Sequence, residues 1–137
     1  MPNLKLIREK DAQGKVKEIY DDIKKSLGWT YIPETFQAVA VNPDNLQTYW
    51  AHYKNVMTRG KLDRKTKEII AIVTSALNDC GLCVRFHMEA ARKAGADDAE
   101  LTEVMEVMAE VAKGNLIMAT LNLGHQDISR IGSANQA

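Results

Sequence analysis

The segment "NDCGLCVRFHMEAARKAG", residues 78–95, holds both cysteines of the chain and one of its three histidines. On a helix beginning near Asp79, with Asp79 as its cap, Cys80, Cys83 and His87 fall at offsets 0, 3 and 7 and share one face. The first turn of a helix offers unpaired N–H groups and the positive end of the dipole, and both favour a thiolate. A free thiol with a pKa of about 8.5 is only a few per cent ionised at pH 7, so a drop of about two units makes it mostly thiolate. His87, one turn beyond Cys83, is placed to take up or return a proton, and a CxxC pair at a helix start closes into a disulfide with little movement. The constellation suits thiol redox chemistry.

Other readings of these residues stand beside that one. The plainest is a pair of small buried cysteines next to a solvated histidine. A zinc site needs a third and fourth ligand; with no second CxxC and no paired histidine, only Glu68 and His125 are at hand. Haem attachment requires a histidine directly after the second cysteine, where this chain has Val84. Glu68 lies twelve residues before Cys80, where the apolar run from Ile69 begins, a position that partly desolvates a carboxylate. It reads equally as an ordinary first-turn glutamate held by the helix dipole.

The elements that must position these residues are helical. Val16, Ile19, Tyr20, Ile23 and Leu27 make one stripe of a helix that stops at Gly28. Pro33 opens a short second helix that ends before Pro43. A third has Asn42 as cap and Pro43 in its first turn, aligns Leu46, Tyr49, Trp50, Tyr53 and Met57, and stops at Gly60. Asp63 caps a fourth, apolar almost all round from Ile69 to Leu77 and therefore expected at the centre of the fold. The motif helix runs to Gly95. Two more helical stretches follow, one with Leu101, Val104, Met105, Met108, Val111 and Ala112, the other with Leu116, Ile117, Thr120 and Leu121. The tail "SRIGSANQA" reads as disordered. The fold class is all-α, a bundle of six to seven helices, and 1–137 reads as a single domain.

Composition narrows the function. Of the 137 residues 45% are hydrophobic, enough for a core, and eighteen basic side chains balance eighteen acidic ones. With no net charge and no Lys/Arg block, a nucleic-acid partner is not expected. No run approaches signal-peptide or membrane-spanning length, so no membrane partner is expected and a cytoplasmic location is. In a reducing compartment a close CxxC pair points to catalysis or metal binding more than to a structural staple. His52 on the third helix and His125 near the C-terminus read as packed or dipole-neutralising residues. Trp29, Tyr31 and Phe36 line the mouth of the site or belong to core or interface.

Glu68, eleven residues, Cys80, two residues, Cys83, three residues, His87 is a far more specific pattern than any of its parts. With it, the chain resembles the AhpD-like alkylhydroperoxidase family of the carboxymuconolactone decarboxylase superfamily, and "GKVKEIYDDIKKSLG", "VNPDNLQTYW" and "GKLDRKTKEIIA" are similar to that family's flanking segments. The resemblance spans roughly Asp11 to Leu121. It implies an all-helical AhpD-like bundle and a redox-active dithiol at Cys80 and Cys83, with Glu68 and His87 as its proton relay. No cofactor or metal is implied. The implied activity is reduction of a hydroperoxide, with an external dithiol or redox protein as electron donor, in a homotrimer or homohexamer whose site lies near a subunit interface. One departure stands out: Leu82 occupies the place beside the second cysteine where the family's best-known hydroperoxidase has a further histidine. A general disulfide reductase with a disulfide substrate is the alternative activity. A decarboxylase-like or non-catalytic assembly protein follows after it.

Overall fold

The computed structural model describes residues 3–121. His125 and the tail "SRIGSANQA" lie outside the described residues. Within them the chain is all α-helical: a 3-10 turn at Glu9–Asp11, then α1 (Gly14–Leu27), α2 (Glu34–Val39), α3 (Pro43–Thr58), α4 (Arg64–Leu77), α5 (Gly81–Lys93) and α6 (Asp98–Leu121). None of these helices is long and apolar enough to cross a membrane. The chain divides into two compact units, Met1–Arg64 and Lys65–Ala137.

The N-terminal unit packs α1 and α2 against α3. The apolar stripe of α1 is buried at Val16, Ile19, Tyr20 and Ile23, and Gly28 ends the helix in the left-handed region at φ 67°. The Asn42 side chain accepts the N–H groups of Asp44 and Asn45, so the cap and Pro43 start α3 as their order in sequence requires. Helix α3 gives way at Thr58, two residues short of Gly60. Trp29 and Phe36 are buried and meet edge to face at 6.1 Å, which makes them core of this unit, whereas Tyr31 is exposed. His52 is exposed on α3. Asp22 joins α1 to α3: its carboxylate accepts the Trp50 indole N–H at 2.7 Å and the Lys54 ammonium at 2.9 and 3.0 Å. Those bonds, Lys54 first and Trp50 next, hold the Asp22 carboxyl below its ordinary pKa.

The C-terminal unit is built by α4, α5 and α6. Ile72, Ala91, Ala96 and Leu101 form its buried cluster, with Val84 and Met88 packed on the edge. Helix α5 ends in a left-handed Gly95 at φ 94°, where the Ala96 N–H reaches back to the Ala91 carbonyl at 2.9 Å. Helix α6 starts with a reciprocal pair of bonds: the Glu100 N–H donates to the Asp97 carboxylate at 2.8 Å and the Asp97 N–H to Glu100 at 3.1 Å. Lys65 at the start of α4 reaches the same Glu100 at 2.6 Å, which ties α4 to α6.

Two sequence expectations about helix extent and burial fail in this unit. The stretches around Leu101–Ala112 and Leu116–Leu121 are one helix that runs through Gly114. A glycine inside a helix costs about 1 kcal/mol but breaks no hydrogen bond, so the apolar run on both sides carries the helix across it. Nor is α4 central: it buries only Glu68 and Ile72, and Ile70 and Leu77 are exposed. An all-round apolar surface on α4 therefore does not translate into burial within one chain.

The Asp22 link can be tested by substitution. Asp22→Ala leaves the buried Trp50 N–H without its acceptor and should lower stability by about 1–3 kcal/mol in urea unfolding. Because the folded pKa lies below the unfolded one, the wild-type contribution is complete above the unfolded value of about 3.9 and fades as the pH falls through the folded value. The gap between wild type and variant should therefore narrow in acid.

Candidate active site

Helix α4 ends in a tight closure that delivers the first cysteine. The Asp79 N–H donates to the Ala76 carbonyl at 3.1 Å and the Cys80 N–H to the Ser75 carbonyl at 2.9 Å, while Asp79 sits in the left-handed region at φ 53°. This is a Schellman turn with aspartate where glycine usually stands. Asp79 therefore does not cap α5. Cys80 does: its Sγ accepts the Cys83 N–H at 3.3 Å, and α5 begins at Gly81. A helix-start aspartate and a helix-stop aspartate look alike in sequence, and the Asn78-Asp79 pair does not separate them. Both residue types tolerate the left-handed region at the end of a helix as readily as they cap the next one.

Cys80 and Cys83 are joined as a disulfide with Cα atoms 5.2 Å apart, the spacing of neighbouring positions on one helical turn. Both cysteines are half-buried, whereas Leu82 between them is 63% exposed. The bridged pair spans the cap and third position of α5, so its sulfurs lie at the positive end of the helix, where an opened pair would be stabilised as thiolate.

Glu68 and His87 meet. The imidazole Nδ1 lies 2.7 Å from a carboxylate oxygen of Glu68, nineteen residues earlier in the chain. The Glu68 side chain is fully buried and that of His87 is 17% exposed. The ring of His87 is also flanked edge to face by Phe86, centroids 5.2 Å apart. Glu68 is thus neither a solvated first-turn residue nor a dipole contact; it is the buried acceptor that orients the histidine. With Nδ1 donating to the carboxylate, the Nε2 side of the ring is left to exchange a proton with another group. Such a histidine–carboxylate pair fixes the tautomer and the orientation of the ring. Among the described residues no group of three or more His, Cys, Asp and Glu side chains is gathered as a metal set.

Comparison with known proteins places the chain in a family. The profile of the "Carboxymuconolactone decarboxylase family" matches residues 43–126, more than half of the chain and all four of the residues above. The chain belongs to this family. Its AhpD-like branch is shown by the fold: the crystal structure of the alkylhydroperoxidase AhpD core from Rhodospirillum rubrum superposes with a TM-score of 0.84 at 27% identity, over 92% of this chain and 95% of that one. "Uncharacterized protein 4 in cox locus" of Paracoccus denitrificans is 31% identical over 93 residues, 68% of this chain and 81% of that protein. The "(R)-2-haloacid dehalogenase" of Pseudomonas putida is 25% identical over 104 residues, 76% of this chain, and the chain spans only 35% of that enzyme's length. The family assignment and the all-α AhpD fold expected from the sequence both hold.

The tautomer gives a direct check. At neutral pH, nitrogen-15 correlation spectra of the neutral ring should show His87 protonated at Nδ1 and bare at Nε2, the less common form in solution. In Glu68→Leu, which can accept no hydrogen bond from Nδ1, the ring should move to the Nε2-protonated form. An unchanged tautomer would remove Glu68 as the group that sets it.

Proposed function

We propose that the protein is a thiol-dependent hydroperoxide reductase of the AhpD type. The observation that carries this reading is the Cys80–Cys83 bridge at the start of α5, on the same helix as a histidine whose Nδ1 is held by a fully buried carboxylate. In the reduced protein the Cys83 thiolate, with the histidine one turn beyond it, attacks the terminal oxygen of the hydroperoxide. The O–O bond breaks, the alkoxide leaves with the proton that His87 Nε2 took from the Cys83 thiol, and Cys83 becomes a sulfenic acid. Cys80 then attacks the Cys83 sulfur, its thiol proton passes to the departing hydroxide, which leaves as water, and the disulfide forms. An external dithiol or redox protein reopens the bridge by exchange, supplying two electrons and two protons. The sum is one hydroperoxide and one dithiol converted to alcohol, water and disulfide. Glu68 touches neither sulfur in this scheme; it keeps the imidazole in the tautomer that can serve them.

Leu82 favours a second reading. An exposed leucine between the cysteines offers no proton to a departing alkoxide but suits contact with a protein or small-molecule disulfide, as a general disulfide reductase would require. The two activities share every step of thiol exchange and differ only in the oxidant. Peroxide consumption with dithiothreitol as donor, run beside reduction of a model disulfide, separates them. On the hydroperoxidase reading, Cys80→Ser and Cys83→Ser each abolish peroxide turnover at unchanged helicity. Glu68→Gln keeps the disulfide and slows turnover by roughly 10²-fold, the scale for disabling the acid–base function of the histidine it orients. Full turnover by either serine variant would exclude a dithiol mechanism.

We also propose that the protein works as a homo-oligomer. Met105, Val107, Val111, Leu116, Ile117 and Leu121 of α6 are all exposed in the single chain, on a helix whose apolar residues are spread around its circumference. A helix of that pattern is a buried one in a stable protein, and a trimer or hexamer of this chain is the arrangement the family resemblance implies. Light scattering at micromolar concentration should give a mass of three or six chains, and Val107→Asp with Val111→Asp should reduce it. A monodisperse wild-type monomer would rule this out.

A further inference from the structure

Among the described residues, Asp79 is the only one other than glycine with a positive φ. Its conformation places the next residue twice over. The Cys80 N–H closes α4 on the Ser75 carbonyl at 2.9 Å, which requires a left-handed residue just before it, while the Cys80 carbonyl accepts the Val84 N–H at 3.0 Å as the first bond of α5. The Cys80 sulfur also accepts the Cys83 N–H at 3.3 Å. Cys80 is therefore shared by the end of one helix and the cap of the next, and the helix that carries Glu68 passes to the helix that carries His87 with no slack residue between them.

We infer that Asp79 is a positioning residue for the dithiol: its left-handed backbone holds Cys80 where the bridge to Cys83 closes, and so favours the disulfide over the dithiol. This rests on the reading of Cys80 and Cys83 as a reversible redox pair. While the bridge is closed, Cys80 is tied to Cys83 on α5, and the join back to α4 falls on the backbone of residue 79. Once it is open, a residue averse to the left-handed region is free to relax. Such a residue penalises the disulfide form more than the dithiol form, in which Cys80 is free to share the adjustment, and moves the exchange equilibrium towards the dithiol. Aspartate, asparagine and glycine tolerate this region; a β-branched residue does not. Two other roles leave different marks. A purely structural role would lower the stability of both redox forms alike and leave their ratio unchanged. A role through the carboxylate charge, which disfavours a neighbouring thiolate, would make asparagine and glycine behave like valine.

The test uses the full chain and its Asp79→Asn, Asp79→Gly and Asp79→Val variants, equilibrated in buffers of reduced and oxidised glutathione. There the protein disulfide takes two electrons and two protons from two glutathione molecules, giving the protein dithiol and one glutathione disulfide. The dithiol fraction is read by acid quench, alkylation and mass spectrometry, and circular dichroism checks that each variant is folded. The asparagine and glycine variants should stay within about twofold of wild type, and the valine variant should shift about tenfold towards the dithiol, equivalent to about 30 mV. If the valine variant does not fold, Asp79→Ala takes its place with a shift of about threefold in the same direction. A folded valine or alanine variant with the wild-type equilibrium would overturn the inference, as would an asparagine variant that shifts as far as valine. A wild-type protein that forms no reversible disulfide in any buffer would overturn it together with the dithiol reading. One that equilibrates normally yet reduces no hydroperoxide would remove the peroxidase reading alone.

Discussion

The hydrogen bond between Glu68 and His87 is the contact on which the C-terminal unit turns. A carboxylate with no exposed surface loses its hydration on folding, a penalty of several kcal/mol unless a partner of complementary charge or a strong donor takes the place of water. At 2.7 Å the imidazole supplies that partner. Neither side chain can do so from its own helix, so α4 and α5 must dock within a fraction of an ångström of this arrangement. The rest of the unit can be understood as what makes such docking possible.

Three features serve it. The connection between α4 and α5 is short and closed by backbone hydrogen bonds at both ends, which leaves little freedom in how the second helix leaves the first. Helix α5 presents Ala90 and Ala91 as its buried residues, and side chains that small let neighbouring backbones approach closely. Lys65 pins the first turn of α4 to Glu100 of α6, one helical turn before Glu68. This last ion pair is partly exposed and by itself adds little stability, but it restrains the end of α4 that carries the buried carboxylate. Ile72, one turn beyond Glu68, continues the same face into the apolar cluster, so the polar contact and the core are consecutive along α4.

The same economy explains why the bridge lies where it does. Helix starts leave N–H groups without intrahelical partners, and a sulfur at the cap position satisfies one of them. A serine, threonine or aspartate would serve a helix better as a cap, so cysteine in this place gives up capping strength for a sulfur that is joined to Cys83. In the proposed reaction the histidine on the next turn, oriented from behind by a buried carboxylate, supplies the protons that opening and closing the bridge consume and release.

Much of this was legible in the sequence wherever a signal and its consequence lie within one or two turns. Asn42 and Pro43 start α3, Gly28 and Gly95 stop α1 and α5, and the 0, 3, 7 spacing of Cys80, Cys83 and His87 ties them to the first two turns of one helix, because helical periodicity relates residues a few positions apart whatever else the chain does. Those properties the sequence determined by itself. Only the tertiary structure decided that Glu68 is a buried partner of His87 and not a first-turn glutamate, because nineteen residues separate them and their meeting depends on how two helices dock. It also decided that Asp79 ends α4 while Cys80 caps α5, since both arrangements satisfy the same local preferences and only the backbone bonds to Ser75 and Ala76 distinguish them. The continuous helix through Gly114 and the exposed flank of α4 belong here too: a glycine's small penalty and an apolar surface gain their meaning from what packs around them, and no residue carries that information alone.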